Sequence, residues 1–272
     1  MLREWTRSDA AAFARAPRPD DDKYSRGVVA LHTGSAEYPG AAVLGVEAAW
    51  RAGAGYVRYL GGAASAVLAR RPETVAGPDI GRTRPGAWVI GSGTDAAART
   101  PAETAVLRDI LAGTVPVVVD AGALDLAAEA DAPLVLTPHA GELARLRQTL
   151  GLTGDGEAVD LAAETAERLR ATVLLKGART VVAAPGEEPI IVSHVPSWLA
   201  TAGTGDVLAG VVGTLVAANP DRPLAQTAAS AVWVHARAAA IASGAVDGAV
   251  GHPIVALDVA EALPSAVAEL LA

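Results

Sequence analysis

The chain has no cysteine, which excludes disulfides, thiolate metal sites and a cysteine nucleophile, and suits a cytoplasmic location. Lysine is nearly missing too: only Lys23 and Lys176 occur, and the other cations are arginines. With a formal charge of −8, the protein has the wrong sign for nucleic acid or an anionic membrane as its main partner, so an anionic ligand must be held by local geometry. Long apolar runs are absent. The stretch from Met1 to Gly27 mixes charges with small residues and has no apolar block of the secretory kind, and the most apolar helical run, Val207 to Ala218, is shorter than the roughly 20 residues that span a bilayer. A soluble chain is expected. No linker, low-complexity block or repeat divides the 272 residues, half of which are apolar; one domain over 1–272 is expected, with 1–22 as an N-terminal extension.

Short β-rich runs alternate with Ala-rich helical runs. Strands are expected from Gly27, Tyr56, Ala87, Pro116 and Pro133, with helices from Gly40, around Glu103 to Leu111, and from Gly141. Such β-α-β order implies parallel strands joined by crossover helices and buried on both faces. Thr172 to Val195 breaks the pattern: three strand-like runs lie close together, with Pro185-Gly-Glu-Glu-Pro189 as a turn, which reads as a strand followed by a hairpin on one side of the sheet. Helices from Gly205, Leu224 and Val255 finish the chain.

Ligands of a parallel α/β sheet sit at the carboxyl ends of its strands, and the polar loops cluster there. Gly34-Ser35, Gly91-Ser92-Gly93, Asp120-Ala121-Gly122, Thr137-Pro138-His139 and Lys176-Gly177 each follow a strand-like run. A further loop, Gly203-Thr204-Gly205-Asp206, opens a helix. Its glycines let amides converge at the positive end of the helix dipole, forming an anion hole over Gly203, Thr204 and Gly205. Asp206 within it reads in two ways. It is either an N-cap that satisfies amides of the first turn, or a base that takes a proton from a hydroxyl as that oxygen attacks a phosphoryl group. The stretch is neither a P-loop, which continues Lys-Ser/Thr after its last glycine, nor a dinucleotide fingerprint, which needs a third glycine.

The run Thr201 to Ala217 resembles the signature of the ribokinase-like fold. Together with Gly34 to Val57, Thr137-Pro-His-Ala-Gly-Glu142 and Leu174 to Val182, it resembles the ADP- or ATP-dependent (S)-NAD(P)H-hydrate dehydratases, over nearly the whole chain from about Lys23. The resemblance implies a three-layer α/β/α sandwich with a mostly parallel central sheet, and a lyase that repairs hydrated NADH or NADPH. In this family a nucleotide phosphorylates the C6 hydroxyl of the hydrate, and phosphate then leaves to restore the double bond. By the same resemblance Asp206 matches the base and Gly205 a nucleotide-phosphate contact. Lys176, Gly177, Ala178, Arg179 and Thr180 match the segment around the adenine nucleotide, and Ala41, Gly93, His139 and Asp206 the positions around the hydrated dinucleotide. His139 also reads as a capping histidine at a helix start. Glu142 stands where related kinases place an acid near Mg2+, held through water. A homotetramer, with no nucleic acid or membrane partner, is implied.

Three stretches depart from the family's usual motifs. Gly91-Ser92-Gly93-Thr94-Asp95 stands for Gly-Pro-Gly-x-Gly, Asp120-Ala121-Gly122-Ala123-Leu124 for Asp-x-Asp-Ala-Leu, and His235-Ala236-Arg237-Ala238-Ala239 for His-Gly-x-Ala-Gly. Two other readings stay open at this point. One is a kinase of a small vitamin-precursor alcohol such as hydroxyethylthiazole, and the other a catalytically silent nucleotide-binding protein, to which the lost acid at Gly122 points.

Overall fold

A computed structural model describes residues 2–193 and 195–272. In chain order it contains β1 (Arg3–Glu4), α1 (Arg7–Ala11), β2 (Val28–His32), α2 (Pro39–Arg51), β3 (Tyr56–Tyr59), α3 (Ala64–Arg70), β4 (Val75–Ala76), β5 (Ala87–Ile90), α4 (Pro101–Leu111), β6 (Val117–Val119), β7 (Leu134–Leu136), α5 (Ala140–Thr149) and α6 (Ala158–Leu169). The adjacent β8 (Thr172–Leu175), β9 (Thr180–Ala183) and β10 (Ile190–Val192) follow, then α7 (Thr204–Ala218), α8 (Leu224–Ser243) and α9 (Ala256–Leu271). A 3₁₀ stretch, Ala121–Glu129, links β6 to β7.

The strands form one sheet in the order β1-β10-β9-β8-β7-β6-β5-β2-β3-β4. Pairings from β4 across to β8 are parallel, while β9 runs against both β8 and β10. The run from Thr172 thus forms a strand and hairpin near one edge, with the turn where the Pro-Gly pair lies. Alternation along the strands sorts side chains into two cores. Val29, Leu31, Val89 and Val118 face the layer of α1, α2, α7, α8 and α9. Ala30, Trp88, Ile90 and Val119 face that of α4, α5, α6 and the 3₁₀ stretch. The result is the expected three-layer sandwich. Within the first layer α2 and α7 cross closely because Gly210 lies on the backbone of Gly45, where any Cβ would collide. That crossing brings the start of α2, with Ala41, beside the start of α7, with Asp206.

The N-terminal segment is woven into this frame. β1 pairs in parallel with β10, Trp5, Ala10 and Phe13 are buried in the first core, and the Trp5 indole donates to Ser230 Oγ at 3.1 Å. Among the described residues no helix is long and apolar enough to cross a membrane.

Candidate active site

The loops expected to converge do so, at the carboxyl edge of β5, β6, β7 and β8. Asp120, the residue after β6, is buried. Its Oδ2 accepts from Ser92 Oγ at 2.9 Å, and its Oδ1 accepts from Thr137 Oγ1 at 2.7 Å and from Lys176 Nζ at 2.9 Å. Lys176 comes 3.8 Å from Glu142 Oε2, and its ammonium lies 3.4 Å from where a Cβ on Gly205 would stand. Burial works to depress the Lys176 pKa, but the carboxylates of Asp120 and Glu142 outweigh it and hold the value above the ordinary lysine range.

Helix α7 starts with Gly203 as its N-cap, at φ 87°, and no side chain caps it. The contrast with other helices is informative. Asp9, Glu103, Glu142 and Asp258 each stand third in their helix and accept from the amide of the N-cap residue: Thr6 N at 2.9 Å, Thr100 N at 2.8 Å, His139 N at 2.7 Å and Val255 N at 2.8 Å. Asp206 is third in α7, yet it accepts no such bond. Those four N-caps are extended, whereas the left-handed Gly203 directs its amide elsewhere. The cap reading of Asp206 therefore does not hold in this geometry. It is partly buried, and that burial, helped by the charge of Asp120 and opposed by Lys176, raises its pKa to about 6. The first-turn amides of α7, which have no partner inside the helix, remain available to an anion.

A cavity of about 440 Å³ opens on one side of this centre, lined by Lys176, Gly177, Ala178, Thr180, Thr204 and Gly205 and backed by Leu199, Leu208, Val232 and His235. Arg179 is exposed and does not line it. The Thr180 hydroxyl donates within its own turn, to Gly177 O at 3.3 Å. His235 is buried, and that burial pushes its pKa down to about 4, keeping the imidazole neutral. The apolar back wall was not singled out from sequence, since leucines and valines of a buried helix give no ligand signal.

A second cavity of about 620 Å³ lies at the ends of β2, β3 and β5, lined by His32, Gly34, Ser35, Tyr38, Gly91 and Thr94 among others. Ala41 is buried under Gly93, where a Cβ would strike the Ala41 methyl. His139 caps α5: its Nδ1 accepts from Gly141 N at 3.0 Å and Glu142 N at 3.3 Å. Its backbone bridges to that of Lys176, and half its side chain is exposed.

Two of the departures are coupled. Gly122 sits against the carbonyl of Thr94, so no Cβ fits there, and Arg99 donates to Gly122 O at 2.8 Å while pairing with Asp125. The loop from Gly91 has closed on the position where the family's second acid would stand. Gly122→Asp is therefore expected to lose about 1–3 kcal/mol, the ordinary cost of overpacking. Denaturant unfolding checks this, and an unmoved midpoint would mean that the loop withdraws freely.

Residues 29–250 match the family model described as NAD(P)H-hydrate dehydratase. The chain is 44% identical over 246 residues to the bifunctional NAD(P)H-hydrate repair enzyme Nnr of Mycobacterium leprae, an alignment covering 87% of this chain and 50% of that protein. It is 37% identical over 257 residues to the ADP-dependent (S)-NAD(P)H-hydrate dehydratase of Xanthomonas campestris, covering 85% and 87%. The chain thus spans about half the length of the bifunctional relatives it matches. The crystal structure of an ADP/ATP-dependent NAD(P)H-hydrate dehydratase from Bacillus subtilis, co-crystallized with ATP/Mg2+, superposes with a TM-score of 0.83 at 24% identity over 98% of both chains. The fold is ribokinase-like.

Proposed function

The chain belongs to the NAD(P)H-hydrate dehydratase family, and from that membership we propose that it repairs (S)-NAD(P)H hydrate with ADP, or ATP, as phosphoryl donor. The observation that carries the reading is an acid with no capping role at the open end of a helix whose first residues, Thr204 and Gly205, line a cavity of about 440 Å³, with a second cavity of about 620 Å³ at the ends of β2, β3 and β5. We assign the first to the adenine nucleotide and the second, with Ala41, Gly93 and His139 at its approach, to the hydrated dinucleotide.

In this scheme Asp206 takes the proton of the C6 hydroxyl as its oxygen bonds to the terminal phosphorus and the bond from that phosphorus to the nucleotide breaks. The growing charge is received by the first-turn amides of α7 and by Lys176. The C6–O bond then breaks, phosphate leaves, a C5 proton is lost and the double bond returns. Hydroxide is a poor leaving group and phosphate a good one, which is why a nucleotide is spent.

Magnesium fits as an ion held mainly by phosphate oxygens and water. Among the described residues no group of acids and histidines could hold a metal alone, and Glu142, its Oε2 engaged by His139 N and its Oε1 3.5 Å from His139 Nε2, would contribute through water. Such an ion would neutralise phosphate charge. We further read residues 1–272 as one domain acting as a homotetramer in the cytoplasm, in keeping with the single sheet and the absence of cysteine.

The test is direct: hydrated NADH, magnesium and ADP are mixed with the protein and the near-ultraviolet absorbance of the dihydronicotinamide is followed. Recovery with release of inorganic phosphate is expected, faster with ADP than with ATP. A stable phosphorylated product would instead mark a kinase, and no recovery with either nucleotide would refute the reading.

A further inference from the structure

Lys176 and Asp206 pose a question about charge. An ammonium adjoins Gly205, next to an enclosed carboxylate, and the flexible lysine stem would ordinarily let the two pair. Among the described residues Asp206 nevertheless has no ion-pair partner, and the ammonium is bonded to Asp120 at 2.9 Å. The choice is explained by preorganisation. Asp120 is already fixed by Ser92 and Thr137, all three residues are almost wholly buried, and the lysine adds a charge-assisted bond to a carboxylate that needs no ordering. Asp206 offers the lysine no such frame.

We propose that Asp120 is a positioning residue that keeps Lys176 off Asp206, so that the carboxylate at the start of α7 stays unpaired and the ammonium stays aimed at the anion hole. The inference rests on the reading of Asp206 as the base. A base locked in a salt bridge is a weak one, because a neighbouring cation lowers its proton affinity. The charges that act on the Asp206 carboxyl are Asp120 beyond β6 and Lys176 beyond β8; Glu142 at the start of α5 reaches the same ammonium as Asp120, and the neutral His235 of α8 lies beside Thr204 and Gly205 at the start of α7. Ser92, Thr137 and Asp120 are thus parts of one clamp, drawn from three strand ends, that contacts no reacting atom.

The experiment follows the Asp206 carboxyl by 13C NMR titration in the protein without ligands, alongside the pH profile of cofactor repair. In Thr137→Val, which removes one donor of the clamp and no charge, the Asp206 midpoint is expected to fall as the loosened lysine turns to it, and the acid limb of kcat/KM to move with it; in Asp120→Asn it falls further, by about one pH unit or more, because the like charge of Asp120 is lost as well. In Asp120→Asn combined with Lys176→Met the midpoint is expected to climb back toward the parent value. A Thr137 that merely supports the fold would leave the midpoint in place. An unmoved midpoint in Thr137→Val overturns the proposal, and so does a fall in that variant that persists when Lys176→Met is added. Should Asp120→Asn not fold, Thr137→Val, alone and with Lys176→Met, decides. These midpoints are read without turnover, so a protein that shows the shifts but repairs no hydrated cofactor refutes the proposed function and leaves the clamp standing.

Discussion

Asp206→Asn is expected to lose about 10²–10⁴-fold in turnover of the hydrated cofactor, the usual loss on removing a general base, while still binding nucleotide. The amide is nearly the size of the carboxyl but accepts no proton. Because no side chain caps α7, the substitution breaks no cap. The sign of its effect on stability follows from the raised pKa. A carboxyl that titrates near about 6 when folded, and lower when unfolded, resists ionisation in the native state, so its charge weakens the fold as pH rises through that window. Removing the charge therefore leaves the Tm at neutral pH at or above that of the parent. In the parent, repair should fall off as pH drops through about 6, since the base acts only when deprotonated. Initial rates, nucleotide titration and melting curves on one preparation check the set. Near-parental turnover in the variant would remove Asp206 as the base.

The largest effect on stability is expected away from the site, at Glu47 in the middle of α2. This residue is fully buried, and its carboxylate is held by Arg51 at 3.1 Å, by Arg70 at 3.3 Å and, most closely, by Arg71. Burial resists its ionisation, yet the bonds from Arg71 and Arg51 win, and its pKa lies below the ordinary carboxylate range. Glu47→Ala leaves three guanidinium groups crowded around a hole, and breaking a buried pair from one side costs about 3–5 kcal/mol. The arginines are each 20–38% exposed, which places the expectation at the lower end. Arg51→Ala, by contrast, removes one peripheral member and should cost about 1 kcal/mol or less. With a depressed folded pKa, the contribution of Glu47 is present above the unfolded carboxylate range and is lost as pH falls through the folded value. The gap between parent and Glu47→Ala should therefore narrow in acid. Denaturant midpoints at neutral and acid pH test this, and a gap constant with pH would show that packing alone, not charge, is at stake.

Much of this architecture could be read from residue order. Val28 to Leu31, Val117 to Val119 and Leu134 to Leu136 are valine- and leucine-rich runs too short for helices, and the helical patterns after the first and the last point to parallel order. The shared polar edge followed from the same logic. Two things did not. The sequence left Asp206 between cap and base because its place, third in a helix, is that of Asp9, Glu103, Glu142 and Asp258; the backbone angle of Gly203 decides, and glycine permits both signs of φ. Lys176 was matched to nucleotide phosphate, but its structural partner, Asp120, stands 56 positions away, and no local pattern pairs residues at that distance. The 3₁₀ stretch from Ala121 and helices α3 and α6 also went unread: Ala-rich segments favour helix without setting its ends or type.

The way the N-terminal segment closes the sheet has a kinetic consequence. Arg3 and Glu4 pair with Ile190 and Ile191, and Trp5 bonds to Ser230 across 225 positions. Loop-closure entropy grows only slowly with length, so such contacts weigh little on equilibrium, but they form late, because the partner strand and helix must exist first. On a ribosome this segment, made before its partners, would be the last docked. Until β10 and α8 have emerged, Trp5 and Phe13 have no core to enter, and local contacts, such as the bonds between Thr6 and Asp9, are what is within reach. The outer edge of β10 stays open for the same interval, which makes this seam the point where a folding chain is most exposed to pairing with another.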